Sequence, residues 1–481
     1  MFKELSLYRV VYSVLTTQIK FGVYKAGDQL PFLEEANTRF LVSFDTLREA
    51  YLQMQQEGYI TLKKKTGAVV QKKYTQEEVE ENIQDFFAKR RVSLPDVASS
   101  VSPLLGKAQW LGLKIASSVQ LDKIELLAHS GKYDTPQANM QILQIIYGNL
   151  GNELLMRLVW QIFMFRQAPF LSLVENLDYL DAKNNSPISN MLSFKRREDW
   201  QGLREAVENS QDQLARAIDK FYREKIHTSF KEAEIPFRWS VHKKTSQICY
   251  SLGLELLISI AKNFYPAGSK LPSLENLAKT NGISVSTVRR TISLLNRLGV
   301  VESINGYGSK VVASEKVAIV CDFANPLVQN RLLECLQSLH LLSLSCKSVA
   351  KLSLSSANEK DWNDFKQTLQ GIRRQNRPDL MIYTCIKSLS ELAPRRALRQ
   401  IYGQLLKLLF WGYPLRRPDE EKRQKETYYS VGLDNLYKHL EESDAEAFST
   451  QLETLIITET RFMANQLRRK GICVIDELVL L

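Results

Sequence analysis

The stretch Tyr24-Lys-Ala-Gly-Asp-Gln-Leu-Pro31 decides the fold, because the chain contains it twice. A second copy reads Tyr265-Pro-Ala-Gly-Ser-Lys-Leu-Pro272. The same shift, without a gap, places Val42-Ser-Phe-Asp-Thr-Leu-Arg48 on Ile283-Ser-Val-Ser-Thr-Val-Arg289. Glycines also coincide in this register, Gly58 with Gly299 and Gly67 with Gly308. Chance does not hold one register over so long a stretch at these residue types, so the chain carries an internal duplication.

The first copy has the pattern of three helices followed by a small hairpin. Its first segment repeats apolar residues at helical spacing, at Val10, Val11, Val14, Leu15 and Ile19. Pro31 opens a short second helix, because the N–H that proline lacks has no partner in a first turn. Ser43 suits the N-cap of a third helix, and Gly58 suits the position that ends it. Residues 59–62 and 68–70 then predict two short strands.

The second copy repeats this pattern of helices and strands with different turn residues. Apolar residues again predict a first helix, and Asn281-Gly282 predicts the turn between the second and third helices. Ser284 is the N-cap candidate of the third helix, and residues 305–308, Asn-Gly-Tyr-Gly, are typical of a tight hairpin turn. Both copies are therefore predicted to be winged helix-turn-helix units.

The remaining halves of the chain repeat more faintly. Ile146-Tyr-Gly148 has a counterpart in Ile401-Tyr-Gly403, and the polar-apolar stretch 203–226 resembles 448–472. Both halves show broad apolar stripes at helical spacing. We predict a mainly α protein with four domains. Two winged helix-turn-helix domains, at 1–74 and 239–314, alternate with two all-helical domains, at 75–238 and 315–481.

The winged helices carry the residue types that DNA recognition needs. A recognition helix places its first side chains toward base edges, while hydroxyls, cations and backbone N–H groups hold phosphates. In the first copy the predicted DNA-binding residues are Ser43, Phe44, Thr46, Arg48, Lys63, Lys64, Lys65 and Gly67. In the second copy they are Ser284, Ser286, Thr287, Arg289, Arg290, Asn305, Gly306, Tyr307 and Gly308. The first wing offers lysines for phosphate contact, and the second offers glycines that would let the backbone approach DNA closely.

These motifs resemble the GntR family of bacterial transcription regulators, in both copies. The resemblance implies binding of double-stranded DNA. Two family positions depart from the usual pattern in both copies. The arginine of the second helix is replaced by Glu34 and Glu275, and the arginine after the capping serine by Phe44 and Val285. Asp45 adds a carboxylate near a phosphate position. We expect the loss of cations in both copies to weaken DNA affinity or to shift readout onto hydroxyls and apolar contacts with thymine methyls, with the second copy the better reader.

In position and helical character, the other two domains resemble the ligand-sensing domain of the FadR-like subgroup. Members of that subgroup bind a metal through an Asp and three His, but the chain has five His and neither helical domain holds three, so no metal is expected. The candidate effector residues of the first helical domain are Tyr147, Arg157, Trp160 and Arg166. The second offers Tyr402, Trp411, Tyr413 and Arg416. An arginine suits an anionic small-molecule effector, although plain helix packing accounts for any single one of these residues at least as well.

Composition narrows the class of protein. The 64 Lys and Arg against 53 Asp and Glu give a formal charge of +11, which favours a polyanionic partner. Six cysteines without a C-x-x-C pair and the absence of a signal peptide predict a cytoplasmic protein with reduced thiols and no membrane partner. There is no P-loop, no G-x-S-x-G and no H-E-x-x-H, so we expect neither an enzyme nor a cofactor.

Two interpretations of different class remain open at this point. In the first, the chain is a DNA-binding regulator, folded as a pseudo-dimeric monomer or as a homodimer. In the second, it is a protein-interaction scaffold whose winged helices have lost or weakened DNA binding, as the missing arginines suggest. A ligand-binding protein or enzyme that merely carries winged helices ranks third.

Overall fold

The computed structural model describes residues 7–40, 42–63, 67–129, 136–180, 187–228, 234–239, 241, 248–415, 421–472 and 478. The chain folds into two compact units. The first unit consists of Glu4–Lys243 with Arg395–Ala397, and the second is built on Lys244–Pro394 and Leu398–Leu481. Each unit contains one copy of the winged helix and one helical domain.

The first winged helix has three helices and a two-stranded sheet: α1 (Leu7–Lys20), α2 (Leu33–Phe40), α3 (Phe44–Gln56), β1 (Ile60–Lys63) and β2 (Gly67–Val70). The strands are antiparallel, with Ile60 opposite Val70 and Lys63 opposite Gly67. The predicted apolar stripe of α1 is buried in the core with Leu47 and Met54 of α3. The buried Tyr51 hydroxyl donates to the Pro31 carbonyl over 2.8 Å, which ties α3 to the turn before α2.

The second winged helix repeats this arrangement with α12 (Ile248–Ala261), α13 (Leu274–Asn281), α14 (Val285–Arg297), β3 (Val301–Ile304) and β4 (Gly308–Val311). Val301 pairs with Val311 and Ile304 with Gly308, in the register of the first copy. Gly282 ends α13 with φ +63°, a left-handed conformation that glycine adopts without steric cost. The turn that the sequence predicts at Asn281-Gly282 is confirmed.

The helical domain of the first unit contains α4 (Gln76–Ala88), α5 (Ser93–Lys114), α6 (Ser118–His129), α7 (Pro136–Gly148), α8 (Glu153–Ile162), α9 (Ala168–Leu171), α10 (Pro187–Arg196) and α11 (Trp200–Lys225). A single π-helical turn, Phe163–Gln167, joins α8 to α9. The long helices α5 and α11 pack along each other. An aromatic cluster around Phe87, Phe170 and Phe221 fills the core beside them.

The helical domain of the second unit contains α15 (Ser314–Val320), α16 (Pro326–Ser355), α17 (Glu359–Arg374), α18 (Met381–Leu392), α19 (Arg396–Leu408), α20 (Glu421–Glu441) and α21 (Ala445–Arg469). Asn325 caps α16 by accepting the Leu327 N–H, and Pro326 occupies its first turn. The pairing of α16 with α21 repeats that of α5 with α11. The predicted fold class, mainly α with two winged helices, is confirmed; the four domain boundaries remain predictions.

Membrane spans are absent from the described residues, since none of their helices is long and apolar enough to cross a bilayer.

Candidate nucleic-acid interface and effector cavity

The hydroxyls predicted to contact DNA in the first copy fix the start of the recognition helix α3. Ser43 Oγ accepts the Thr46 N–H over 3.3 Å and lies 2.8 Å from Thr46 Oγ1. Thr46 is buried, so its hydroxyl serves the cap. Phe44 is 49 % exposed at the same end of the helix. The exposed side chains left to meet a ligand are therefore Phe44, Asp45 and Arg48, with Glu49 behind them.

The second recognition helix, α14, has a more extended hydroxyl cluster at its start. Ser284 Oγ accepts the Thr287 N–H over 3.2 Å. It also lies 2.9 Å from Ser286 Oγ and 2.8 Å from Thr287 Oγ1. Arg289 and Arg290 follow directly and are both exposed. The helix start is thus rigid, polar and next to two cations.

The two recognition helices carry different charges at equivalent exposed positions. The duplication register pairs Asp45, Arg48 and Glu49 of α3 with Ser286, Arg289 and Arg290 of α14. The first surface sets one arginine against two carboxylates, whereas the second has two arginines and no carboxylate. Since phosphate contacts supply most of the non-specific DNA affinity, this surface of α14 suits DNA better than that of α3.

The wing glycines meet different side chains in the two copies. Gly67 and Gly308 both have positive φ, +69° and +111°, which other residues rarely adopt. A Cβ on Gly67 would lie 2.9 Å from the Phe32 ring, and a Cβ on Gly308 would lie 2.9 Å from Lys270 Cε. Each glycine therefore lets a side chain from the turn before the second helix pack on the wing.

Lys270 and Lys310 are candidate phosphate contacts that the sequence reasoning missed. Lys270 forms an isolated β-bridge with Lys310 of β4, and its ammonium lies 5.1 Å from the centroid of the Tyr307 ring. Both lysines are exposed. The second wing is thus basic as well as glycine-rich. Sequence spacing alone gave no signal, because Lys270 joins the wing only through this bridge.

The described wing residues that the sequence predicts as DNA contacts lie in or beside the turns of the two hairpins. In the second wing, Asn305, Gly306 and Tyr307 form an exposed turn, with Gly306 at φ +75°. In the first, Lys63 is exposed at the end of β1. Lys64 and Lys65 lie outside the described residues.

A cavity of about 170 Å³ lies inside the first helical domain. Its walls come from α5, α7 to α11, the π-helical turn and a 3₁₀ helix that ends at Leu180, and are mostly apolar. Four buried polar side chains also line it: Gln109, Tyr147, Arg166 and Gln211. Tyr147 and Arg166 are two of the four predicted effector residues. The two glutamines are new, although both fall on apolar helical stripes, which is a signal that the sequence contains.

Arg166 is the polar group of this cavity with the strongest need for a partner. Its side chain projects from the π-helical turn and is 5 % exposed. Neither Nε nor Nη1 has a hydrogen-bond acceptor among the described residues. Burial lowers the pKa of Arg166 to about 10, an effect that the neighbouring Tyr147 opposes, so the side chain stays cationic at neutral pH. Burying a cation without a counter-charge is costly, and an anionic ligand would offset that cost.

Comparison with known proteins identifies the winged helices. The sequence model described as "Bacterial regulatory proteins, gntR family" matches residues 7–70 and 251–311. Both winged helices are GntR-family domains. No curated protein matches the chain.

Solved structures of three proteins resemble parts of the chain at low sequence identity. A GntR protein of Streptococcus agalactiae is 17% identical, with a TM-score of 0.22, and the alignment covers 44% of this chain and 99% of that one. Lar, described as controlling the expression of the Listeria monocytogenes agr system, is 15% identical, with a TM-score of 0.22. The alignment covers 47% of this chain and 99% of that one. A GntR transcriptional regulator from Rhodococcus sp. RHA1 is 13% identical, with a TM-score of 0.25, 46% and 98% covered.

The other two predicted effector residues of the first unit have different partners. The Trp160 indole N–H donates to the Phe40 carbonyl, at the end of α2 of the GntR domain, over 2.9 Å. Arg157 Nη1 donates to the Val241 carbonyl over 2.8 Å. Neither residue is among those that line the cavity. We therefore assign Trp160 to the junction between the GntR domain and the helical domain, and neither residue is placed to contact an effector in this cavity.

The counterparts in the second unit differ in their surroundings, and the buried indole N–H of Trp411 has no acceptor among the described residues. Tyr402 is fully buried, and its hydroxyl lies 2.8 Å from Ser345 Oγ. Trp411 is buried against Gly253 of the second GntR domain, and Tyr413 is half-buried. Arg416 lies outside the described residues. The buried cation of this unit is instead Arg331, which is 3.0 Å from Glu334 and stacks over the Tyr250 ring.

Proposed function

We propose that the chain is a transcription regulator that binds double-stranded DNA through two unequal readers, the second stronger than the first. This proposal rests on the charge difference at equivalent exposed positions of α3 and α14. Arg289 and Arg290 stand beside the capped start of α14, where Lys270 and Lys310 add cations on the wing. The corresponding surface of α3 has Asp45 and Glu49. GntR-family membership of both domains supports DNA as the partner.

The first reader has an apolar component that the second lacks. Phe44 occupies the first position of α3 and is about half exposed, while the equivalent Val285 is partly buried. Apolar side chains at this position contact thymine methyl groups in the major groove. We therefore propose that α3 contributes shape and methyl readout with little electrostatic affinity. A tandem chain with such readers favours an asymmetric site, whether it acts as a pseudo-dimeric monomer or as a homodimer.

We also propose that an anionic small molecule controls DNA binding from the cavity of the first unit. Val159, Ile162, Phe163 and Arg166 line the cavity from α8 and the π-helical turn. Trp160, Phe163 and Met164, from the same stretch, belong to the core cluster of the first winged helix. A ligand that draws Arg166 toward itself acts on residues that hold the GntR domain. Since π-helical turns are frequent at functional sites, this position suits a switch.

A charge exchange between the recognition helices tests the unequal-reader proposal. Glu49→Arg gives α3 the charge found in α14, and Arg290→Glu does the reverse. On DNA selected from a random pool, we expect Glu49→Arg to tighten binding and Arg290→Glu to weaken it by about tenfold or more, since each changes phosphate contact. Arg297→Glu, at the far end of α14 and 3.6 Å from Asp322, is the matched control for net charge.

Equal effects of Arg290→Glu and Arg297→Glu would contradict a specific role for the start of α14. No measurable DNA binding by the unaltered chain at low salt would favour the second candidate function, a protein-interaction scaffold. The observation that favours this candidate is the exposed Phe44 beside Asp45 and Glu49 on the first winged helix.

A further inference from the structure

The first winged helix exposes apolar side chains at positions where the second has serine or a partly buried valine. Four of its large apolar residues are 37 % to 49 % exposed: Phe32, Phe44, Leu52 and Leu62. The internal repeat places Ser273, Val285, Ser293 and Ser303 at these positions, and the three serines are exposed. Both winged helices share one fold, so their cores do not require these exposed side chains. The apolar surface therefore indicates a contact that only the first copy makes.

Two of these apolar residues lie on one side of the recognition helix α3. Phe44, Arg48 and Leu52 follow each other at intervals of four residues, which keeps them on the same face of a helix. Since a helix rises 1.5 Å per residue, Phe44 and Leu52 are about 12 Å apart along its axis, with Arg48 midway between them. We call these three residues, together with Asp45 and Glu49 beside them, the α3 stripe.

The charged groups of the α3 stripe have both signs. Arg48 lies between Asp45 and Glu49 in the sequence, and all three side chains are exposed. None of the three forms a side-chain hydrogen bond or an ion pair with another residue that the structure describes. The stripe thus offers a cation and two anions to a partner, whereas the equivalent surface of α14 offers cations only. Two α3 stripes can pair their charges with each other, while two α14 surfaces repel each other.

The α3 stripe is complementary to itself when two helices run antiparallel. An antiparallel pair centred on Arg48 places Phe44 of each copy opposite Leu52 of the other, because both lie four residues from the centre. Arg48 is then within one helical turn of Asp45 and Glu49 of the second copy, so each guanidinium has carboxylates to pair with. Contacts that repeat in this way across a two-fold axis are those of a closed dimer interface.

We propose that, away from DNA, the α3 stripe pairs with the α3 stripe of a second copy of this chain. The pairing removes Phe44 and Leu52 from water and gives Arg48 its carboxylate partners. A single helix face is smaller than the about 800 Å² per partner that stable interfaces bury, so the pairing is reversible at micromolar concentrations. It goes beyond the proposed DNA binding. Because it uses the face of the first reader, pairing and DNA contact by α3 exclude each other.

Sedimentation of the full chain over a range of concentrations, without DNA, tests the pairing. Leu52→Ser installs the residue of the second copy, and it should weaken association by about tenfold or more, because one leucine is lost at each end of the contact. Leu126→Ser is the matched control, since Leu126 is a still more exposed leucine on α6, and association should be unchanged. If another surface already joins two chains, the pairing is a further association step with the same response to both variants.

Charge variants identify the surface that α3 meets. Arg48→Glu leaves the stripe with carboxylates only, so association should weaken by about tenfold or more. Glu49→Arg gives a stripe with two arginines and one carboxylate. An equimolar mixture of Arg48→Glu and Glu49→Arg chains should associate at least about tenfold more tightly than Arg48→Glu alone, because an acidic stripe then meets a basic one. A thermal melt of each variant shows that it is folded.

Three results would overturn the inference: a chain that stays monomeric at about 100 μM, equal effects of Leu52→Ser and Leu126→Ser, or loss of association in Arg290→Glu, which would place α14 in the contact. Adding the selected duplex keeps the pairing apart from the proposed function. If the duplex binds to a chain that never associates, the pairing is wrong and DNA binding stands. If the chain pairs through α3 and the bound duplex does not compete, α3 is not a DNA reader and the pairing stands.

Discussion

At the scale of single residues, the serines that begin both recognition helices have a double character. Ser43 and Ser284 were predicted as DNA contacts, and in the structure each accepts the N–H three residues along. An N-cap of this kind stabilises a helix by about 1 kcal/mol, independently of DNA. Their loss would reduce DNA binding through either role, so a substitution that keeps the cap is the informative one.

Ser284→Asp separates the two roles. Aspartate caps as well as serine, so we expect the midpoint of thermal unfolding to stay close to that of the unaltered chain. Its carboxylate would face the DNA backbone, so DNA affinity should fall by about tenfold or more. Ser284→Ala should do the opposite, with stability reduced by about 1 kcal/mol and a smaller loss of DNA affinity. If Ser284→Asp kept full DNA affinity, the start of α14 would not lie at the DNA.

At the scale of elements, α8 and the π-helical turn connect the cavity to the first GntR domain. Phe163 lines the cavity and belongs to the core cluster of that domain. Trp160 adds the hydrogen bond to Phe40 at the end of α2. Because tightly packed interiors transmit small displacements, we propose that a shift at Arg166 would reach the winged helix through these two contacts.

Trp160→Phe tests this connection, since it removes the indole N–H and keeps an aromatic ring. We expect a loss of about 1 kcal/mol in unfolding free energy and a reduced effect of the proposed anionic effector on DNA affinity. Trp110→Phe is the matched control, because the Trp110 N–H donates to the Trp200 carbonyl over 3.0 Å inside the helical domain. It should reduce stability by a similar amount and leave the effect of the effector intact. An equal reduction in both variants would contradict the connection.

The elements also show what the sequence could and could not predict. The internal repeat, Ser284 and the wing glycines predicted most of both winged helices, because caps and turns are encoded locally. The prediction that Pro31 opens the second helix was wrong, since α2 begins at Leu33. Helix α16 is harder to predict from the sequence, because it is buried on nearly all sides and has no single apolar stripe that a search for periodicity could detect. The cavity cannot be predicted from local sequence, since a void depends on how eight separate segments fail to fill the space between them. Trp160 and Arg166 illustrate this limit: they are close in sequence, yet only Arg166 lines the cavity.

At the scale of the whole molecule, one chain carries two GntR-family winged helices, and their third helices differ in charge at equivalent exposed positions. In each unit a long helical pair supports the domain, α5 with α11 and α16 with α21. The two units differ in how they treat buried charge. Arg331 has Glu334 as its counter-ion, whereas Arg166 lines a cavity that has no carboxylate among its described lining residues. We therefore propose that the first unit senses the effector and the second supplies most of the DNA affinity.

The salt dependence of DNA affinity tests this division most directly. It should be measured on one selected duplex for the unaltered chain, Arg289→Ala and Arg48→Ala. Each lost phosphate contact lowers the slope of log affinity against log salt by about one. We predict that Arg289→Ala lowers both the slope and the affinity clearly, and that Arg48→Ala does so less. A chain in which Arg289→Ala changes neither quantity, or in which Arg48→Ala has the larger effect, would contradict the division of roles between the two units.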